Sequence, residues 1–336
     1  MSDTTRQPAA NMSSVSLSFG SLEALSAIEC AIPASGIVGV LGPNGAGKTT
    51  FLRVLCGYLL PDTGSVHVCG IDMFENPVAA RAHIGYMPER APAYGELTVD
   101  EHLSFLARAC GVQKHNLTTA VDRAVERSGV DSVRHRLIRN LSKGFRRRLS
   151  LAGAIVHMPE VIVLDEPSAG LDPNQIFELR SLIVELGHHH TVIVSSHIMQ
   201  EIEAVADRVL ILDGGRIVAD GEAASLLGEQ GPGVWEAEVK GASREALKGA
   251  LASFNGRTTI ISSSDDSAVS RVRFTPVESV EDGETVVFDW AVRNGLKLSQ
   301  LQRTREGLES VFRRLTAGNG GSHNGQERSA FEESDS

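Results

Sequence analysis

Cysteine is scarce and poorly spaced for chemistry. Cys30, Cys56, Cys69 and Cys110 are the only four in 336 residues, and no pair forms a CxxC. That excludes a disulfide-stapled fold and a cysteine-ligated metal site. Four scattered thiols fit a reducing cytoplasm. Also absent is any apolar run of the roughly 18–20 residues that a membrane-crossing helix needs. Met1 to Asn11 is polar and lacks the apolar stretch of a signal peptide, so neither secretion nor self-insertion is expected. Basic charge is short: 32 Lys and Arg against 42 Asp and Glu leave a net charge of −10. A broad nucleic-acid-binding face calls for the opposite balance. Core-forming material is ample, with 42% hydrophobic and 22% charged residues, and the length suits about two domains.

The first 230 residues alternate short apolar runs with helical patterns. Ile37–Leu41, Val161–Leu164 and Thr191–Val194 have the β-branched, apolar character of buried strands. Lys48–Cys56, Asn174–Leu186 and His197–Val205 have helical spacing. This alternation predicts α/β layering with a parallel core sheet. Val15–Phe19 and Ser65–Cys69 predict an added antiparallel piece. Between Glu89 and Leu151 the pattern turns helical: Thr98 and Glu101 form a capping box, Val99, Leu103 and Leu106 share a face, and a second helix is expected over Leu117–Ser128. Leu227–Gly233 reads as a linker. Beyond it come strand Val234–Val239, helix Arg244–Phe254, strands Arg257–Ser262 and Ala268–Phe274, helix Val280–Asn294 and strand Leu296–Gln302. That βαββαβ order is ferredoxin-like. A last helix is expected over Gly307–Leu315, and the polar stretch from Gly318 to Ser336 reads as disordered.

The chemistry concentrates in three places. Gly42-Pro43-Asn44-Gly45-Ala46-Gly47-Lys48-Thr49-Thr50 fits the P-loop pattern G-x-x-x-x-G-K-[ST] between a predicted strand and a predicted helix. Backbone N–H groups there can cradle phosphates at a helix N-terminus. Lys48 can reach the β- and γ-phosphates, and Thr49 can ligate Mg²⁺. Val161–Leu164 ends in Asp165-Glu166: Asp165 suits Mg²⁺ and Glu166 suits a general base for an attacking water. Leu141-Ser142-Lys143-Gly144-Phe145 opens an amphipathic helix with Ser142 at the N-cap. Free N–H groups, the Ser142 hydroxyl and the bare backbone of Gly144 fit a phosphate partner. His188-His189-His190 falls in a helix-to-strand turn and reads as a solvated turn. Arg146-Arg147-Arg148 reads as serving a phosphate environment or surface pairing.

In order and spacing these motifs resemble the ATP-binding subunit of an ABC transporter, over residues 12–228. Asn140 to Pro173, NLSKGFRRRLSLAGAIVHMPEVIVLDEPSAGLDP, is similar to that family's signature, Walker B and D-loop in succession. The resemblance implies a P-loop NTPase fold with a parallel core sheet, an antiparallel β subdomain and a helical subdomain; the βαββαβ pattern adds a small α+β ferredoxin-like domain over 234–316. Residues 1–11 and 318–336 would be tails. It makes Phe19 the aromatic on adenine, Ile84–Glu89 the Q-loop with Glu89 near the metal, Asp172 part of the D-loop and His197 the switch histidine. The catalytic set is then Glu166, His197 and Lys48. The metal set is Thr49, Glu89 and Asp165. ATP and Mg²⁺ are the implied cofactors.

Two positions depart from the commonest family pattern. The signature is LSKGF, and the Q-loop carries Glu89 in place of Gln. Together with Gly170–Ile176 they resemble the branch serving bacterial gliding motility and related exporters. One chain holds one P-loop and one signature, and in the family each ATP lies between the P-loop of one subunit and the signature of the other. A homodimer, or a heterodimer with a second ABC ATPase, is therefore implied, with Ser142, Lys143 and Gly144 facing the partner's ATP. A separate integral-membrane permease is implied too, approached through Glu89–Leu141. The protein would then sit on the cytoplasmic face of the membrane. The alternatives are a soluble ABC ATPase acting on ribosomes or DNA, and an ATP-binding regulator that does not hydrolyse. The single cassette and the lack of sustained heptads weigh against the first. Glu166 and His197 weigh against the second.

Overall fold

The computed structural model describes residues 7–90, 93–227, 233–242, 244–263, 269–277, 282–304, 308 and 311–312. The elements run β1 (Ala10–Phe19), β2 (Leu22–Ile32), β3 (Gly36–Leu41), α1 (Lys48–Leu55), β4 (Thr63–Val68), β5 (Ile71–Asp72), α2 (Pro77–Ala82) and β6 (Ile84–Met87). The helical segment is α3 (Val99–Ala109), α4 (Leu117–Ser128) and α5 (Lys143–Ile155). Then follow β7 (Val161–Asp165), α6 (Pro173–Gly187), β8 (Thr191–Ser196), α7 (Met199–Glu203), β9 (Arg208–Asp213), β10 (Arg216–Glu222) and α8 (Ala223–Leu226). The last part is β11 (Val234–Lys240), α9 (Arg244–Leu251), β12 (Gly256–Ser263), β13 (Val269–Pro276), α10 (Gly283–Arg293) and β14 (Lys297–Thr304).

The strands make three sheets: β2-β1-β4-β5, β10-β9-β3-β8-β7-β6 and β12-β13-β11-β14. In the central sheet β9, β3, β8, β7 and β6 are parallel neighbours, and β10 closes the edge antiparallel. Strands β7 and β8 are buried along their whole length, as expected for a sheet covered on both faces. One face packs on α3, α4, α5 and α6 through Leu103, Val125, Leu149, Leu164 and Ile183. The other packs on α1 and the antiparallel sheet through Phe51, Leu52, Val40, Val163 and Met12. The Thr98 capping box is present: Thr98 N–H donates to Glu101 Oε2 at 2.8 Å and Glu101 N–H to Thr98 Oγ1 at 3.3 Å.

The third sheet has the antiparallel ferredoxin-like order and its own aromatic interior. Phe254, Phe274 and Trp290 meet with ring centroids 4.9–5.9 Å apart.

Several boundaries differ from the sequence reading. Strand β1 starts at Ala10, ahead of the expected strand start at Val15 and of the expected domain start at residue 12, because Ala10 pairs with both Ile32 and Val68 and is buried. So residues 7–11, expected within a disordered tail, are ordered. Helix α7 is shorter than the expected His197–Val205. Ser196 Oγ accepts the Ile198 N–H at 3.0 Å, which holds the chain extended and leaves His197 off the helix. Beyond β14 the chain returns to the first region: Leu308 and Val311 are buried in the core that holds Leu164 and Ile202, and the Leu308 N–H donates to the Glu203 carboxylate. The expected linker falls mostly outside the described residues, as do the helix over Gly307–Leu315, apart from Leu308, Val311 and Phe312, and the tail from Gly318.

Candidate functional site

A cleft of about 550 Å³ opens where β3 ends and α1 begins, lined among others by Phe19, Asn44, Gly45, Gly47, Lys48, Thr49, Thr50, Glu89, Glu166 and His197. That volume suits a nucleotide-sized ligand. The loop has its shape because of its glycines. Gly47 has φ 99°, and a Cβ there would lie 2.7 Å from the Ala24 carbonyl oxygen. A Cβ on Gly42 would lie 2.4 Å from the Leu212 carbonyl oxygen. Gly47 offers no side chain to cap α1, so the first-turn N–H groups face the cleft as an anion site. Gly42 and buried Ala46 shape the loop from behind and do not line the cleft.

Lys48 is buried. Its Nζ donates to the carbonyls of Gly42 at 2.8 Å and Pro43 at 3.1 Å and stands 3.6 Å from Glu166 Oε1. Asp165 closes β7, and its Oδ1 accepts from Ser195 Oγ at 2.8 Å and from Thr49 Oγ1 at 3.4 Å. Its Oδ2 is buried with no hydrogen-bond partner. A buried carboxylate oxygen without a partner is costly, and a hard cation would satisfy it. Among the described residues no group of three or more His, Cys, Asp and Glu could hold a metal ion. Mg²⁺ needs only one or two protein oxygens where phosphates can supply others, and Asp165 and Thr49 are the residues here that could provide them.

Glu166 has φ 47°, a left-handed conformation that is rare for a side chain. Its N–H donates to Ser195 Oγ at 3.0 Å, and its Oε2 lies 2.8 Å from His197 Nδ1. Its carboxylate is therefore gripped between Lys48 and His197 at the inner end of the cleft. Phe19 is about half exposed at the rim, a free ring face for a base. Glu89 lines the cleft from an exposed turn.

The structure leaves Ser142, Lys143, Gly144 and Asp172 outside the lining of this chain's own cleft. Ser142 caps α5, accepting the Phe145 N–H at 3.3 Å, and Ser142 and Lys143 are exposed. Asp172 is exposed and caps α6, accepting the Gln175 N–H at 3.0 Å. Gly144 is buried, and a Cβ there would lie 2.8 Å from the Gln175 side chain. It thus has a packing reason within the chain that the phosphate argument alone did not anticipate.

Sequence reasoning missed Ser195, whose hydroxyl joins Asp165 to the Glu166 backbone; a serine near the end of an apolar strand, two residues before His197, was the available signal. It also misjudged His190, which is buried with Nδ1 2.7 Å from the Pro159 carbonyl, while His188 and His189 are exposed. Arg148 pairs with Glu178 at the surface, but Arg147 turns inward.

Parallel sheet, glycine loop at the mouth of a helix and paired acidic residues at a strand end define a P-loop ATPase. Residues 25–169 match the ABC transporter family model. The chain is 33% identical over 312 residues to the Nod factor export ATP-binding protein I of Rhizobium etli, covering 92% of this chain and 93% of that one. It is 30% identical over 301 residues to the daunorubicin/doxorubicin resistance ATP-binding protein DrrA of Streptomyces peucetius, covering 89% of each. The chain belongs to the ABC transporter ATP-binding proteins, a family of ATP-hydrolysing subunits. In fold it is similar to the ATP-binding cassette MJ0796, whose dimeric post-hydrolysis structure holds ADP and Pi, with TM-score 0.58 and 20% identity over 64% of this chain and 98% of that one.

Proposed function

We propose that the chain is the ATP-hydrolysing subunit of an export-type ABC transporter, working as a pair of cassettes on a separate membrane permease. The observation that carries this reading is the Glu166 carboxylate held between Lys48 and His197, beside the unpartnered Oδ2 of Asp165. Lys48 and the N–H groups of Gly45 to Thr50 bind the β- and γ-phosphates, and Phe19 stacks on the base. Asp165 and Thr49 hold Mg²⁺, with Glu89 nearby; the ion neutralises charge on the phosphates. Glu166 accepts the proton of the attacking water, and His197 fixes that carboxylate from the other side.

Ser142, Lys143 and Gly144 serve the partner's ATP, because they do not line the cleft of their own chain. Asp172, exposed at the start of α6, faces the same joint. An isologous pair closes two sites at once, and the MJ0796 dimer supports that reading. Export is supported by the export and resistance names of the relatives. No helix among the described residues is long and apolar enough to cross a membrane, and the reading assigns that task to a separate permease. The exposed pair Tyr94 and Phe105, with ring centroids 5.5 Å apart, is a docking feature within Glu89–Leu141. The nucleotide-binding domain spans residues 12–228 extended back to Ala10, and the accessory domain is built on the third sheet, within 234–316.

The test is turnover and mass. The protein with Mg²⁺ should hydrolyse ATP. Glu166→Gln should lower kcat about 10²- to 10⁴-fold, keep ATP affinity and show twice the monomer mass by light scattering with ATP. A Glu166→Gln variant that turns over normally, or stays monomeric while saturated with ATP, would refute the reading.

A further inference from the structure

Helix α5 begins with the signature, and its second turn carries three consecutive arginines. The middle one is the interior member. Gly144, Arg147 and Leu151 are spaced i, i+3 and i+7, so they share one face, and Gly144 and Leu151 are buried. The Arg147 guanidinium meets main-chain oxygens of two separate segments. Nε donates to Pro167 O at 2.9 Å, Nη2 donates to Glu166 O, and Nη1 donates to Glu89 O with Pro88 O at 3.5 Å. None of its ion-pair distances falls among the salt bridges of the described residues. Burial lowers its pKa, while the charges of Glu89, Asp165 and Glu166 oppose that shift.

A partly buried guanidinium spent on four carbonyls is unusual, because carboxylate pairing is its stronger use. What these carbonyls share is their position. Glu166 sits in the left-handed region, a strained conformation that persists only when neighbours over-determine it. Its N–H is held by Ser195 Oγ. Its C=O is held by Arg147. The same fork holds the turn that carries Glu89. A planar group with fixed donors can span both segments at once, which an ammonium cannot.

We propose that Arg147 is a positioning residue for hydrolysis: it clamps the main chain at Glu166 to the Pro88–Glu89 turn, so that the place of the catalytic carboxylate follows the place of that turn. The inference rests on Glu166 acting as the base. Arg147 does not line the cleft; it acts through Glu166.

Arg147→Met and Arg147→Lys, measured for kcat, for ATP affinity and again in a Glu166→Gln background, test it. Misplacing a catalytic group by about 1 Å can remove about 10²-fold of rate. Both substitutions should therefore lower kcat by about that factor with ATP affinity unchanged, since the phosphate-binding loop is not touched. In the Glu166→Gln background the same substitutions should lower the residual single-turnover rate little further, because residues acting as a unit are non-additive. A loss that persists in full without the carboxylate means Arg147 acts elsewhere and overturns the proposal. So does near-normal turnover, or ATP affinity that falls in step with kcat. Should Arg147→Met misfold, Arg147→Lys keeps charge and length and decides the question alone. If the unsubstituted protein hydrolyses no ATP, the functional reading falls and the inference with it. If it does and the arginine variants match it, only the inference falls.

Discussion

Around the cleft, Lys48, Asp165, Glu166, Ser195 and Glu201 are buried among apolar side chains, whereas the third sheet packs Trp235, Phe254, Phe274 and Trp290 with Ser270 its sole buried polar side chain among the described residues. Both regions use sheets covered by helices. They differ in what the interior is for. Interior charge needs partners at defined distances, and Ser195, Ser168 and Ser196 supply them: the latter two bond the Glu201 carboxylate at 2.5 and 2.8 Å. One oxygen, Asp165 Oδ2, is left over, and Glu166 is held in a strained conformation. Such local departures are where a fold gives up stability for chemistry. In the third sheet Trp290 Nε1 is satisfied at 3.1 Å by the Ala250 carbonyl, and the buried atom without a hydrogen-bond partner is the neutral Thr304 hydroxyl at the end of β14.

The contrast can be broken first by emptying the aromatic core. Phe274 is fully buried, and Phe274→Ala should destabilise its sheet by about 3–5 kcal/mol. Trp235 and Trp290 are the only tryptophans in the chain, so tryptophan emission reports this sheet and not the cleft. Its melting midpoint should drop while ATP affinity stays. If ATP affinity falls with it, the two interiors are one cooperative unit, a possibility that the return of Leu308 and Val311 to the first core makes concrete.

How much of this was legible follows the range of the interactions. The P-loop, the Asp165-Glu166 pair and the βαββαβ order are set by neighbours in sequence, and the residues carry them openly. Ser195, Arg147 and Gly144 take their roles from segments distant in sequence: Asp165, Glu89 and Gln175 respectively. A run of three arginines reads as surface until the helical phase of Arg147 is matched to buried Gly144 and Leu151. His190 reads as solvated in sequence because its partner, the Pro159 carbonyl, lies 31 residues away, just before the neighbouring strand β7. The early start of β1 depends on pairing with Ile32 and Val68, which residues 7–11 alone do not announce.

A smaller effect sharpens the charged side of the comparison. Glu89 lines the cleft, and its carboxylate would favour a hard cation while repelling the γ-phosphate; each effect is worth about 1–3 kcal/mol, as for hydrogen bonds to charged groups. With the cation between them the first should dominate. Glu89→Gln should raise the Mg²⁺ concentration for half-maximal ATPase and leave metal-free nucleotide binding unchanged or slightly tighter. Superimposable Mg²⁺ titrations would make Glu89 a solvated carboxylate of the turn.

The smallest effect is acid sensitivity, and it separates the regions by composition. Burial lowers the pKa of His102, His157 and His190, and residues 233–312 contain no histidine at all. The unfolded chain binds these protons near pH 6.5, while the folded chain takes them up only at lower pH. Stability is therefore intact above about pH 6.5 and is lost as pH falls from there through the folded values, by at most about 1.4 kcal/mol per pH unit for each histidine. His157 and His190 are bound through one ring nitrogen to the carbonyls of Ile84 and Pro159, so the loss falls on the central sheet. Between pH 7 and 5 the midpoint followed by circular dichroism should drop, while the midpoint followed by tryptophan emission should stay. His157→Gln should reduce the drop. Midpoints that fall together, at the same rate and in both variants, would place the acid response outside these histidines and remove this distinction between the two interiors.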